Sequence, residues 1–294
     1  MLCSSCPREC GAIREKEQGE GFCGMGYLPK LAKACIHRWE EPCISGENGS
    51  GAVFFTGCAL QCVFCQNYCV SSEGFGKTVT VERLREICEK LISQGVHNIN
   101  LVNPTHYADT VCQLLETPFS VPVVYNTGGY EKVETLKKLK GKIQIYLPDI
   151  KYSDDLLAVK YSAAPNYFET ATAAVKEMFA QTGPYVMDED GILQSGVVIR
   201  HLILPGCVEN TKRVIDWVSD NFAPGEVLFS LMSQYIPFGK VLEGGYDEIN
   251  RTVTEEEYAE IEDHLMESNI EEGYFQELSS ADTEYIPNFD LENV

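Results

Sequence analysis

The sequence predicts an α/β protein: a partial (β/α)6 barrel of TIM-like architecture with a small N-terminal metal-binding lobe. Three observations carry this expectation. Continuous apolar runs of strand length alternate six times with helical patterns between residues 52 and 268, and such runs suit parallel strands buried on both faces. Six units fall short of a closed eight-unit barrel, which favours an open, curved sheet, with a doubly wound sheet as the alternative. Residues 1–49 break the rhythm and hold a separate group of cysteines. They read as a lobe too short to bury a core unaided and therefore stapled by metal, while residues 50–294 form the barrel and a C-terminal extension.

The units follow in order. Ala52–Thr56 (AVFFT) is the first strand, and Val81–Gln94 an amphipathic helix. Asn98–Val102 precedes a helix from Tyr107 to Glu116, and Val121–Tyr125 one near Lys132–Leu139. Ile143–Leu147 leads into helices within Asp154–Gln181; Val197–Leu204 leads into Thr211–Asn221, and Val227–Met232 into Glu255–Ser268. Pro184–Gln194 carries an Asp-Gly turn signal and reads as a hairpin ahead of the fifth strand.

Composition narrows the function. The chain has 294 residues, 44% of them hydrophobic, which suffices for one large domain and an appendage. The net charge of −21 argues against a nucleic-acid partner, since phosphate binding takes a surplus of Lys and Arg. No apolar stretch of spanning length is present and nothing resembles a signal peptide, so the expectation is a cytoplasmic protein without a membrane partner. Disulfides are rare in that compartment, and thirteen cysteines there point to metal.

The cysteines fall into two groups. "TGCALQCVFCQNYC" places Cys58, Cys62 and Cys65 in C-x3-C-x2-C spacing, with Phe64 before the third, on the loop after the first strand. Chemistry in parallel α/β folds gathers at the C-terminal ends of strands, where this loop belongs. Structural zinc takes four protein ligands and a [4Fe-4S] cluster usually takes four cysteines; three would leave one iron open. Cys69 is a structural thiol by this reading. The second group, Cys3-x2-Cys6-x3-Cys10-x12-Cys23, has metal-site spacing that suits zinc or a second iron–sulfur cluster.

The C-x3-C-x2-C loop resembles the hallmark of the radical SAM superfamily. Three later segments are similar to those of pyruvate formate-lyase activating enzymes, in the same order: "YNTGGYE" (Tyr125–Glu131), "YLPDIKYSD" (Tyr146–Asp154) and "VIRHLILPG" (Val198–Gly206). "HRWEEPCISG" (His37–Gly46) and Asn103–His106 resemble an uncharacterised, Cys-rich branch. The resemblance implies a [4Fe-4S] cluster on Cys58, Cys62 and Cys65, and S-adenosylmethionine bound at the open iron. It also implies cleavage of that molecule to a 5′-deoxyadenosyl radical that abstracts hydrogen, and an electron donor such as flavodoxin or ferredoxin. The activase likeness implies a partner protein as substrate, on which a glycyl radical is installed. A peptide or small-molecule substrate is the alternative, and a non-catalytic iron–sulfur protein a third reading.

Physics assigns the remaining site residues. Asp149 and Lys151 lie two apart at a strand end and so face the same way. A carboxylate suits ribose hydroxyls and an ammonium suits the methionine carboxylate; a surface ion pair is the plainer reading. Asn126 follows the third strand and can bond a ribose or amino group. Asn103 and His106 stand where the activases carry Gly-Gly-Glu. Arg200 and His201 point to opposite faces, Arg200 inward. Gln234, with Tyr235, follows the sixth strand and is placed beside the adenine.

Overall fold

A computed structural model describes residues 2–278 and 287–294. Its elements are, in chain order, β1 Lys30–His37, α1 Pro42–Ser45, β2 Ser50–Phe55, α2 Tyr68–Ser71, β3 Lys77–Thr78, α3 Val81–Ser93, β4 Ile99–Val102, α4 Ala108–Leu114, β5 Val123–Thr127 and α5 Val133–Lys138. There follow β6 Ile145–Pro148, α6 Asp155–Ser162, α7 Tyr167–Thr182, β7 Val186–Met187, β8 Leu193–Leu202, α8 Val208–Asn221, β9 Leu228–Met232, α9 Glu255–Met266 and β10 Gly273–Phe275.

The sheet runs β10-β9-β8-β6-β5-β4-β2-β1-β3, with two open ends. The strands from β2 to β10 along this path pair in parallel, so the six strand–helix units are present. Two additions were not visible in the sequence pattern. Lys30–His37, which the pattern assigned to the N-terminal lobe, is a sheet strand antiparallel to β2, and β3 is antiparallel to it in turn. Gly273–Phe275 adds a short parallel strand beyond β9. The hairpin at 184–194 forms, with β7 antiparallel to β8.

Side chains alternate between two cores, as the period-2 geometry of strands requires. Val123 and Tyr125, Val197 and Ile199, and Phe229 and Leu231 face outward onto α3, α4, α5, α7 and α8. Val124, Ile145, Leu147, Val198 and Leu228 face inward and pack on Cys43 and Ile44 of α1. The short helix α1 therefore plugs the N-terminal end of the strands. Asn98, just before β4, secures it by donating to the Ile44 carbonyl at 2.7 Å. Ile44 is fully buried. Ile44→Ala is expected to cost about 2–5 kcal/mol through lost burial and the cavity left behind, read as a lower urea midpoint at unchanged slope.

Residues 2–28 have little regular structure and are held by arginines. Arg8 donates to the carbonyls of Ala59 (2.7 Å), Ser162 (3.1 Å) and Ala163. Arg14 donates to those of Met25 (3.1 Å), His106 (2.6 Å) and Gly26. Phe22 and Ser5 accept from Gln61 and Thr135. These contacts set the segment on the C-terminal ends of the strands, against the Cys58–Cys65 loop. Among the described residues, no helix is long and apolar enough to cross a membrane.

Candidate active site

A cavity of about 690 Å³ occupies the inside of the curved sheet. Its walls come from the parallel strands and the residues just beyond them, including Phe54, Val102, Asn126, Asp149, Arg200 and Ser230. Cys58, Cys62 and Cys65 line one end, on the loop after β2.

Each of the three sulfurs accepts a hydrogen bond. Leu60 N–H donates to Cys58 Sγ at 3.3 Å, the Ser162 hydroxyl to Cys62 Sγ at 2.9 Å, and the Ser71 hydroxyl to Cys65 Sγ at 3.3 Å. As free thiols, Cys62 and Cys65 resist ionisation. Burial pushes Cys65 up to about 12, with Cys62 and Cys58 adding to it. Burial also raises Cys62, against the opposing pull of Lys151. A metal would displace these protons, because thiolate is the ligating form. Phe64 packs edge-on to Tyr161 and Tyr235 and wedges the loop in place.

The sequence-assigned residues divide. Asn103, Asn126, Asp149, Lys151, Arg200 and Gln234 all line the cavity with the cysteines. Asn103 adopts φ 58°, a left-handed conformation that Asn tolerates; its Nδ2 donates to the Gly57 carbonyl at 2.7 Å, and its Oδ1 lies 3.7 Å from Cys58 Sγ. Gly129 (φ 78°) permits the turn after β5, since a Cβ there would lie 2.0 Å from the Asp149 carbonyl oxygen. His106 departs from expectation. It is buried outside the cavity lining, its Nε2 2.7 Å from the Thr56 carbonyl. The 3-10 turn Thr105–Tyr107 swings the ring back behind β2, and burial lowers its pKa to about 3, so it stays neutral.

Asp149 anchors a buried ionic column. Lys151 Nζ approaches its Oδ2 at 2.5 Å and Arg200 Nε its Oδ1 at 2.9 Å. Arg200 Nη2 donates to Asn126 Oδ1 at 2.7 Å, and Nη1 to Glu40 Oε2 at 3.1 Å. Burial alone would raise Asp149, but Arg200 and Lys151 together hold its pKa below the usual value. His201 points the other way, its ring nitrogens meeting the Ile150 carbonyl and the Thr211 hydroxyl.

Glu40 and Glu41 were missed by sequence reasoning, although they stand in the quoted "HRWEEP" segment. Glu40 Oε1 accepts from Asn100 (3.0 Å) and Asn126 (3.2 Å). No local spacing could reveal this, because the contacts depend on α1 closing the barrel floor. Glu131 was likewise missed. It lies behind the cavity wall, accepting from Thr105, Thr127 (2.5 Å) and Tyr125 (3.4 Å). Burial raises its pKa to about 7, against the lowering effect of these donors. A raised carboxyl favours the fold below its unfolded pKa, and that contribution is lost as pH rises through about 7. Glu131→Gln is therefore expected to gain stability relative to wild type between pH 5 and pH 8, by up to about 3 kcal/mol, in urea titrations at both pH values.

In the N-terminal segment, burial pushes Cys6 up to about 12, and the nearby Cys23 and Cys3 add to it. Burial likewise raises Cys23, with Cys3 and Cys10 contributing. The four thiols are thus electrostatic neighbours, and a Cβ on Gly21 would lie 2.9 Å from Cys10 Sγ. Among the described residues, no group of three or more His, Cys, Asp or Glu side chains stands at the spacing of a single bound ion. A four-iron cubane spreads its thiolates more widely than one ion does.

No family model matches the chain. An uncharacterised protein of Methanocaldococcus jannaschii is 29% identical over 265 residues, 87% of this chain and 71% of that one. Among solved structures, the chain is similar in fold to Streptococcus suis SuiB bound to S-adenosylmethionine, with TM-score 0.52 and 14% identity over 77% of this chain and 50% of that one. It is also similar to methylornithine synthase, with TM-score 0.50 and 18% identity over 74% and 62%, and to HydG, a maturase of the [FeFe]-hydrogenase, with TM-score 0.50 and 16% identity over 80% and 54%. The chain thus matches about half to three-fifths of each of these solved chains, and at these identities the likeness is one of fold.

Proposed function

We propose that the chain is a radical SAM enzyme, with Cys58, Cys62 and Cys65 holding a [4Fe-4S] cluster at the mouth of the cavity. One observation carries this: three thiols in C-x3-C-x2-C spacing, each accepting a hydrogen bond, line a cavity shared with Asn103, Asn126, Asp149 and Lys151. The donor set fits the group, since hydrogen bonds to sulfur tune such clusters. Fold likeness to radical SAM enzymes adds support. Held there, the cluster would supply one-electron reduction of S-adenosylmethionine.

The chain's own residues bind and orient. Asn103 reaches towards Cys58, where the methionine end of the cofactor belongs. Lys151 and Asp149 form a charged pair for its carboxylate and ribose hydroxyls, and Gln234 lies on the adenine side. Buried walls exclude water from a radical. An electron donor such as flavodoxin or ferredoxin is needed from outside. The activase-like segments support a partner protein as substrate; the cavity with a charged floor favours the second reading, a peptide or small molecule. The test is the electron paramagnetic resonance spectrum of the reduced, anaerobically reconstituted protein: S-adenosylmethionine shifts it if the molecule binds the cluster, and leaves it unchanged if the cluster only carries electrons.

Residues 1–49 are proposed to hold a second metal centre on Cys3, Cys6, Cys10 and Cys23, with iron–sulfur preferred to zinc because the thiols do not stand at the spacing of a single ion. The support is their mutual proximity and the poverty of regular structure in residues 2–28, which metal coordination would offset. Cys6→Ala/Cys10→Ala is expected to hold less metal than wild type and to retain the first cluster. Equal metal content in the two proteins would make these ordinary thiols.

A further inference from the structure

The floor of the cavity has a feature that cofactor binding does not use. β1 runs antiparallel to β2, so His37 lies opposite Ser50, the first residue of β2, whereas Cys58 follows its last. Glu40 and Glu41 thus rise into the cavity from the end opposite the cysteines. Glu41 is buried, with 8% of its surface exposed, and lines the cavity. Among the described residues, its Oε2 has no hydrogen-bond partner. The nearest cationic nitrogen, Arg200 Nη1, is 4.0 Å away and already donates to Glu40.

Charge bookkeeping shows what is missing. Among the described residues, the acidic ones lining the cavity are Glu40, Glu41 and Asp149, and the Lys and Arg residues are Lys151 and Arg200. All three Arg200 nitrogens are engaged, with Asp149, Glu40 and Asn126, and Lys151 is paired with Asp149. Glu41 is left with the long 4.0 Å contact to Arg200 Nη1. A buried carboxylate so weakly paired is costly, and either a proton or a cation relieves it. Burial, the largest influence, raises the Glu41 pKa, with Arg200 and the Ser230 hydroxyl opposing and Glu40 adding. A second buried acceptor without a partner among the described residues, Gln276 Oε1, lines the same cavity. An anionic ligand at this floor would meet unpaired oxygen, whereas a donor-bearing cation would complete both charge and hydrogen bonding.

We propose that the substrate carries a primary ammonium group and that Glu41, beside Glu40, receives it at the cavity floor. This rests on the reading of the cavity as the active site and names the chemistry of the substrate. The ammonium sits at one end of the strands and the radical source at the other, so the hydrogen abstracted lies on the carbon skeleton between them. The amino group of S-adenosylmethionine does not fill this role, because that molecule belongs at the cysteine end.

Calorimetry on the reconstituted, S-adenosylmethionine-loaded protein tests the proposal, using n-butylammonium, n-butanol and butyrate as probes of equal chain length. Wild type is expected to bind n-butylammonium at least tenfold more tightly than either of the others, and Glu41→Gln to lose that preference. Nα-acetyl-lysine amide presents the same group on a peptide backbone. If it binds more tightly the source is a protein side chain, and if more weakly a small amine. The proposal is overturned if butanol or butyrate matches n-butylammonium, if n-butylammonium does not bind at about 50 mM, or if Glu41→Gln binds it as wild type does. Should the variant not fold, the wild-type probe series decides alone. S-adenosylmethionine affinity is measured separately, so its absence counts against the radical SAM reading and not against the ammonium site.

Discussion

Cys62→Ala is expected to reduce S-adenosylmethionine cleavage to background while the protein stays folded. The two halves of that expectation have separate causes. Cys62 is one of the three thiols proposed to hold the cluster, so its loss removes a ligand; Cys69 lies outside the triad's spacing. The structural cost is confined to one small buried side chain and to the Ser162 hydroxyl, which loses its sulfur partner. The Tyr152 hydroxyl, 2.7 Å away, remains its partner, so the loss is one hydrogen bond, about 0.5–1.5 kcal/mol, less than the stability of an ordinary domain. The variant should show native-like circular dichroism, less iron and no 5′-deoxyadenosine. Cleavage at the wild-type rate would remove Cys62 from the cluster.

The second large effect is expected at Asp149. Asp149→Ala leaves Lys151 and Arg200 buried without the carboxylate that joins them, and breaking a buried pair costs about 3–5 kcal/mol. It also removes a group proposed to hold the ribose, with a loss of roughly tenfold or more in S-adenosylmethionine affinity. Asp149→Asn keeps the shape and part of the hydrogen bonding, and should fall between. The pH dependence has a defined sign. Because the folded pKa is below the usual value, Asp149 stabilises the fold at neutral pH, and that contribution is lost as pH falls through the folded pKa. Wild type should therefore lose more stability on acidification than Asp149→Ala does. Urea titrations and equilibrium binding on the same samples check both effects; unchanged stability in Asp149→Ala would show the ionic column to be energetically idle.

Much of this was legible in the sequence because the relevant signals are local. The strand–helix units are written as apolar runs and amphipathic repeats, and Val197–Leu204 matches β8 to within a few residues. Asp149 and Lys151 share a face because strand geometry requires it, and the same rule sends Arg200 inward and His201 outward. What was not legible depends on distant partners. Lys30–His37 becomes a strand only because β2 offers it an edge, and the surrounding Gly and Cys residues hide its alternation. Gly273–Phe275 is three residues long and has no pattern to detect. His106 looked like a site residue because it follows a strand, but a single 3-10 turn aims it behind β2. Glu41 has no sequence signal at all: its importance comes from α1 lifting it beneath Arg200.

The most direct test of the central claim is anaerobic incubation of the reconstituted protein with S-adenosylmethionine and a chemical reductant, followed by quantification of 5′-deoxyadenosine. A radical SAM enzyme yields 5′-deoxyadenosine in wild type and none in the Cys58→Ala, Cys62→Ala and Cys65→Ala variants. A wild-type protein that holds its cluster and binds S-adenosylmethionine yet forms no 5′-deoxyadenosine would contradict the claim.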